Sequence, residues 1–477
     1  EGRMLFVPAL LTLALVPMLT VAKAPKDGVK DKTLRQFLKR GPVLRQFRRL
    51  SDLVFAEYGT KPQPELDFGE PLPFVDSDKS IPALNFKYRD ILLEGDIRPT
   101  VSQLDRRANR TSRRKTRQAV RGADNLWPNG VVPYEFHPNI GASKRAAIHR
   151  ALSFWQVETC LTFRKRSKEP SYLYFVGHDD GCWSTVGRDA AQGQQWLSIG
   201  DGCEPFGITS HEVAHALGLF HEQSRYDRDN HVQLVTSNVK RNLLYNFAKA
   251  SPIEINHYGL PYDVGSVMHY SPIEFATVRS MPALVAKNPL LQQTMGSLEG
   301  PSFLDVAILN KHYQCAKRCG RAADRLRCQN NGIVNPRRCS QCKCPTGFTG
   351  AVCQSPDTGN QPRCGGILQA SEGEEKRLTS DIPLVFLGNK RTCYYHIQAP
   401  VGRRIALHLT SVRGHCEHGC ARERVEIKAE GDKRPVGYRF CCPESGARRI
   451  VSSSNTVIVM LHANSGPASV DLTYKME

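Results

Sequence analysis

Three histidines and a glutamate, His211, Glu212, His215 and His221, stand in the run His-Glu-Val-Ala-His-Ala-Leu-Gly-Leu-Phe-His. These spacings suit a single tetrahedral zinc ion with an open coordination position. On a helix, His211 and His215 lie one turn apart on the same face, so both rings can reach one metal. Glu212 lies beside them, poorly placed as a ligand but well placed to hold and deprotonate a water, the general-base role. Gly218 has no Cβ and lets the helix stop and turn, which returns His221 beneath the ion as a third ligand. The fourth position is left for water, which distinguishes a catalytic site from a closed structural one and points to metal-assisted hydrolysis of a peptide bond. Residue frequencies alone give HExxH by accident in about a few per cent of chains this long, and Gly218 and His221 at fixed offsets reduce that to roughly one in ten thousand. Histidines that merely fill a core are the less economical reading.

The flanking sequence must supply elements that position these groups. Ile148, Leu152 and Trp155, with Ala151, repeat at helical spacing and predict an amphipathic helix over 146–157, packed on a sheet. Residues 172–177, Tyr-Leu-Tyr-Phe-Val-Gly, form a β-rich run. The helix carrying His211 and His215 is expected to start near Thr209 or Ser210, either of which is a cap candidate.

Downstream lies Tyr262-Asp-Val-Gly-Ser-Val-Met268-His-Tyr270. Together the two motifs resemble an astacin-type metzincin. The likeness continues in Gly181-Cys-Trp-Ser-Thr-Val-Gly187, His221-Glu-Gln-Ser-Arg-Tyr-Asp-Arg-Asp229 and Asp305-Val-Ala-Ile-Leu-Asn-Lys-His-Tyr-Gln-Cys315, nearly the whole of 118–315. The resemblance implies an α+β, two-lobed catalytic domain with substrate extended in the cleft between the lobes. It makes Met268 the hydrophobic floor beneath the histidines, a role suited to a soft thioether. It makes Tyr270 a movable additional zinc ligand that swings away to donate a hydrogen bond to the oxyanion. It pairs Cys160 with Cys315 and Cys182 with Cys203, where sequence alone allows three pairings. Extended peptides bind by pairing with an exposed strand edge, and 183–187 is the candidate edge, with an ordinary core strand as the alternative.

The 477 residues allow two or three domains. Sixteen cysteines, scattered as pairs and clusters, indicate disulfides formed in an oxidising compartment. Residues 5–21 are almost wholly apolar, follow Arg3 and end at Ala22-Lys-Ala24, which reads as a secretory signal peptide over 1–24 with Met4 as the expected initiator. A signal anchor is disfavoured by the short run and by Pro8 and Pro17, and no other stretch could span a bilayer. The net charge of +19 would ordinarily raise nucleic acid as a partner. Here much of it is concentrated at Arg106, Arg107, Arg110, Arg113, Arg114, Lys115, Arg117 and Arg121, read as an exposed, unstructured stretch open to processing proteases. Secretion excludes nucleic acid.

Residues 25–117 read as a propeptide, which includes the glycan-acceptor pattern Asn109-Arg-Thr111. Arg114-Lys-Thr-Arg117 resembles a basic convertase site, with cleavage after Arg117 leaving Gln118 as the new amino terminus. By resemblance that terminus pairs with Glu222. Cyclisation of Gln118 to a neutral lactam would leave buried Glu222 without its ionic partner. Leu93-Glu-Gly-Asp96 resembles the astacin latch FxGD, with Leu93 in place of Phe, and makes Asp96 the group that fills the zinc's open position before activation, with an ordinary surface-loop aspartate as the alternative for so short a motif.

Cys319, Cys328, Cys339, Cys342, Cys344 and Cys353 lie in a segment, 316–354, too small to bury a core without disulfides. Its ending, from Cys344 to Cys353, resembles an EGF-like module without the acidic calcium consensus. Residues 364–477 resemble a CUB domain, an all-β sandwich, through Cys364-Gly-Gly-Ile-Leu, Cys393-Tyr-Tyr-His-Ile-Gln-Ala-Pro400 and Cys420-Ala-Arg-Glu-Arg-Val-Glu-Ile427. Cys364 and Cys393 belong to its usual four cysteines. Tyr395 replaces a usual tryptophan, and Glu423-Arg424 replaces an acidic-aromatic pair associated with calcium. Cys416 and Cys442 look like an extra pair, while the pairing among these two, Cys420 and Cys441 stays open.

The layout resembles nematode astacins of hatching and cuticle maturation. It implies a secreted zymogen, activated by a convertase, that holds one zinc ion and cleaves extracellular matrix or cuticle proteins. The alternative is a catalytically silent EGF/CUB interaction protein.

Overall fold

The computed structural model describes residues 41–60, 80–89, 91–100, 103, 104, 107, 119, 120, 123–177, 181–191, 193–252, 254–384, 390–443 and 448–477. The predicted signal peptide, Asn109, Arg117 and Gln118 lie outside the described residues. Helix α1, Gly41–Tyr58, precedes the catalytic unit and buries Phe47, Leu50, Val54 and Tyr58, a one-sided stripe. That stripe meets the 3₁₀ helix Arg241–Phe247, where Phe47 stacks on Tyr245 with ring centroids 4.4 Å apart.

Strands β1 (Val131–Phe136), β2 (Thr162–Lys165), β3 (Tyr172–Val176), β4 (Cys182–Trp183) and β5 (Gln194–Ile199) form a sheet in the order β2-β1-β3-β5-β4. All pairings are parallel except β4 with β5, which leaves β4 as an antiparallel edge. Helix α2, Ala142–Glu158, begins one turn before the predicted start and lays Ala147, Ile148, Ala151, Leu152 and Trp155 into the core. It ends where Thr159 turns extended and its hydroxyl donates to the Trp155 carbonyl.

Helix α3, Phe206–Ala216, carries His211 and His215 and starts earlier than expected, at Pro205 rather than Thr209 or Ser210. Those hydroxyls bond inward, Thr209 to the Cys203 carbonyl at 2.8 Å and Ser210 to the Gly207 carbonyl at 3.1 Å. The reason is burial. Every residue from Gly207 to Ala216 is enclosed, and a Cβ on Gly207 would stand 1.8 Å from the Leu298 carbonyl oxygen, so the first turn is wedged against a neighbouring chain segment. Two buried indoles fix the helix: Trp155 donates to the Ser210 carbonyl at 3.0 Å and Trp127 to the Ala216 carbonyl at 2.9 Å. Helix α4, Phe303–His312, opens with a Ser302–Asp305 capping box.

All sixteen cysteines are paired. Cys160–Cys315 and Cys182–Cys203 brace the catalytic unit. Cys319–Cys339, Cys328–Cys342 and Cys344–Cys353 hold the small module that follows. Beyond it, among the described residues, a five-stranded and a four-stranded sheet enclose a core that includes Val425, Ile427, Val457, Val459 and Leu461. This sandwich carries Cys364–Cys393, Cys416–Cys442 and Cys420–Cys441. The architecture is the expected multidomain one. No helix among the described residues is long and apolar enough to cross a membrane.

Candidate active site

Helix α3 places His211 and His215 on one face, with ring centroids 4.5 Å apart. The chain then reverses at Gly218, whose φ of +113° is a conformation that residues with a Cβ rarely adopt, and the Leu219 amide bonds back to the Ala214 carbonyl at 3.0 Å. His221 thereby returns to within 5.1 Å of the His211 ring and 4.8 Å of the His215 ring, centroid to centroid. A candidate ligand atom of each histidine and a carboxylate oxygen of Asp96 all lie within 4.8 Å of one another, and all four residues are buried.

The outer nitrogens show that this donor set fits zinc. His211 Nδ1 meets the Val267 carbonyl at 2.8 Å, His215 Nδ1 the Leu219 carbonyl at 2.7 Å, and His221 Nδ1 a Glu94 carboxylate oxygen at 2.7 Å. Each acceptor fixes the proton on Nδ1 and turns the Nε2 lone pair inward, as a zinc-binding imidazole requires. Burial, then the neighbouring His215, lowers the His211 pKa to about 4, favouring the neutral form that binds metal. At His221 burial acts downward, but the carboxylates of Asp96 and Glu94 outweigh it and raise the pKa to about 9. Two anions thus face this ring, a charge that a divalent cation would answer.

Glu212 is fully buried beside the cluster, and neither carboxylate oxygen has a hydrogen-bond partner among the described residues. Burial, and then the Asp96 charge, hold its pKa well above the usual carboxylate range. Tyr270 places its ring 5.0 Å from that of His221, and its buried hydroxyl also lacks a partner among the described residues. Met268 is fully buried in the same core cluster as Val213, Ala214 and Leu217 of the histidine segment. Asp305 organises its turn, accepting from the Ser266 hydroxyl at 2.6 Å and the Val267 amide at 3.0 Å. The capping carboxylate of α4 therefore also steadies the carbonyl that orients His211.

The segment before the catalytic unit runs through this cleft. Asp96 Oδ2 lies 3.2 Å from Nε2 of both His211 and His221, and Oδ1 lies 3.5 Å from Nε2 of His215. Leu93 and Ile97 exchange backbone hydrogen bonds of 2.9 Å around the loop, with Glu94 and Gly95 at positive φ. Ile97 bridges in parallel to Ser184, whose amide and carbonyl bond Asp96 and Arg98. The segment thus extends the sheet where β4 ends, at the edge region picked out as 183–187.

Two expectations need correction. Arg107, counted within an exposed basic run, is buried, ion-paired to Glu94 and 3.5 Å from Glu254, with its guanidinium over the Phe220 ring. A cation enters the interior here because two carboxylates and an aromatic face await it. Glu222 is not dependent on a new amino terminus for an ionic partner: Arg225 donates to it at 3.0 Å, and so does the Asp263 amide at 2.9 Å. Burial nevertheless dominates and raises its pKa to about 7. Ala119 already bonds Asn256 in both directions, and Val120 donates to the Gly218 carbonyl. Glu94 and Arg107 went unrecognised as site residues. The signal for Glu94 was its place inside the latch motif, whereas Arg107 carried none.

Comparison with known proteins gives two family matches. The model described as Astacin, a peptidase family, matches residues 119–314, and that of the CUB domain matches residues 364–471. The chain is 44% identical over 489 residues to zinc metalloproteinase nas-29 of Caenorhabditis elegans, covering 97% of this chain and 90% of that protein. It is 44% identical over 407 residues to zinc metalloproteinase nas-23 of the same organism, covering 84% and 75% respectively. Among solved structures it aligns with high choriolytic enzyme 1, a hatching enzyme zinc-protease from Oryzias latipes, at 32% identity and a TM-score of 0.38, over 41% of this chain and 98% of that one.

Proposed function

The chain belongs to the astacin family of zinc-dependent metalloendopeptidases, and from that premise we propose a secreted enzyme made as a zymogen, which cleaves extracellular matrix or cuticle proteins in moulting, cuticle maturation or hatching. The observation that carries the catalytic reading is the convergence of His211, His215 and His221, each with its outer nitrogen held, beside the unpartnered carboxylate of Glu212. When bound, zinc supplies Lewis acidity to the scissile carbonyl and acidifies the attacking water.

The protein's own groups do the rest. Glu212 takes a proton from the water and delivers it to the leaving amine. Removal of Asp96 takes away a charge that opposes Glu212 ionisation, so clearing the cleft also readies the base. Tyr270, whose hydroxyl is buried without a partner among the described residues, donates to the oxyanion. The pro-segment, 25–117, keeps the enzyme silent through Asp96, and an activating convertase cuts after Arg117. Sixteen cysteines, all in disulfides, support an extracellular location.

The test is casein cleavage by the processed protein with and without a zinc chelator, beside a Glu212→Gln variant. Chelation should abolish activity, and Glu212→Gln should retain zinc while losing about a thousandfold in rate. Near-normal activity in that variant overturns the assignment of the base.

A further inference from the structure

The cavity of about 140 Å³ beside the metal-ligand cluster is lined by His211, His221, Tyr270 and Glu274 of the catalytic unit and also by Glu417 and His418 of the CUB domain. We propose that the CUB domain builds one wall of the substrate pocket, and that this pocket takes a substrate side chain that donates a hydrogen bond to Glu274: Ser, Thr, Lys or Arg. The inference rests on the peptidase reading and adds which part of the chain selects the substrate.

The CUB wall is held rigidly. Residues 416–420 are pinned at both ends by Cys416–Cys442 and Cys420–Cys441. Gly419, at φ +72°, approaches so closely that a Cβ would stand 2.3 Å from the Ser297 backbone of the catalytic unit. Arg439 bonds both sides of this contact, Ser297 Oγ at 2.7 Å and the Gly419 carbonyl at 2.9 Å, and also reaches Glu426 and Glu299 at 3.1 Å each. Arg424 donates to the same Glu299 oxygen at 2.7 Å. Arg424 and Glu423 are the residues that depart from the pattern associated with calcium. Arg424 now serves the interface, while Glu423 accepts backbone amides of Asn464, Ser465 and Gly466. A second contact seats Val436 on Gly265, where a Cβ would stand 2.4 Å from the valine, with the Val436 amide donating to Asp263. That contact lies on the turn that leads to Met268.

The pocket's polar chemistry follows from the groups that line it, Ser80 of the pro-segment among them. Glu274 is buried, and its oxygens accept from the Ser271 hydroxyl at 2.8 Å and from the Ser80 hydroxyl of the pro-segment at 3.2 Å. No ion pair engages it among the described residues, whereas Glu417 is met by Arg422 at 3.1 Å. Departure of the pro-segment removes the Ser80 donor and opens that carboxylate oxygen to water and to a donor on the substrate. A substrate hydroxyl or cation supplies one, and an acidic side chain would face like charge.

The experiment profiles cleavage of a peptide library by the processed full chain, with zinc content measured in parallel. The wild type should disfavour Asp and Glu at one position flanking the cleaved bond. Glu274→Gln should relieve that discrimination by about tenfold, and His418→Ala should admit bulkier residues at the same position, both with zinc unchanged. Gly419→Ala should shift the profile in the same direction as His418→Ala, and exposed Val401→Ser should leave it unchanged. Active, zinc-loaded variants at 274 and 418 with profiles superimposable on wild type would overturn the pocket alone. A wild type that holds no zinc and cleaves nothing would sink the peptidase reading itself.

Discussion

Two parts of the chain press on one cleft, and they are fastened in different ways. The pro-segment is held by groups the reaction needs: Asp96 by the three histidines, Glu94 by His221, and its backbone by the edge beyond β4. The CUB domain is held by groups the reaction does not need, through Arg439, Arg424, Glu299 and Glu426, and by two glycine close approaches. Both fastenings bury charge, yet under the activation we propose the first leaves when the chain is cut after Arg117 and the second stays. On that reading a removable clamp occupies the chemistry, and a permanent one borders it.

The largest effect should come from breaking the permanent clamp. Arg439→Met takes the closest cation from buried Glu426 and one of three from partly exposed Glu299, which keeps Arg424 and Lys390, and chemical denaturation should show a loss of about 3–5 kcal/mol, carried by the Glu426 pair. A loss below about 1 kcal/mol would place this contact among weak surface pairs and dissolve the contrast. Next comes Asp96→Ala. Removing a buried, charge-assisted contact worth roughly 3 kcal/mol should raise peptidase activity of the uncut chain about a hundredfold. Persistent inertness would show that the segment blocks the cleft without its aspartate. Glu94→Gln keeps an acceptor for His221 but loses the charge that meets Arg107, so the excised pro-segment should inhibit in trans about tenfold more weakly. The smallest effect concerns pH. Burial pushes the carboxyls of Glu299 and Glu426 upward, but the cations around them outweigh it and hold both below the usual range. Their contribution is therefore present above the ordinary carboxylate pKa and is lost only as pH falls below it, so hydrogen-exchange protection factors at 434–439, corrected for the intrinsic pH dependence of amide exchange, should stay unchanged between about pH 8 and 5.

The sequence by itself determined the metal-binding chemistry, because a helix turns a four-residue spacing into a shared face without help from any distant residue. It likewise determined that Gly218 must turn the chain, since only a residue without Cβ adopts that φ at little cost. Cysteine content announced a disulfide-held chain for similar local reasons. The start of α3 departs from the expected one because Thr209 and Ser210 have cap chemistry, while the burial that turns their hydroxyls inward comes from segments far away in sequence. Arg107 looked like one more exposed cation until folding brought Glu94 and Glu254 to it. Only the tertiary structure decided that Glu222 is met by Arg225 and that His418 borders the cleft. Such pairings depend on surfaces assembled from separate elements, and no local period or spacing encodes which buried charge will find which partner.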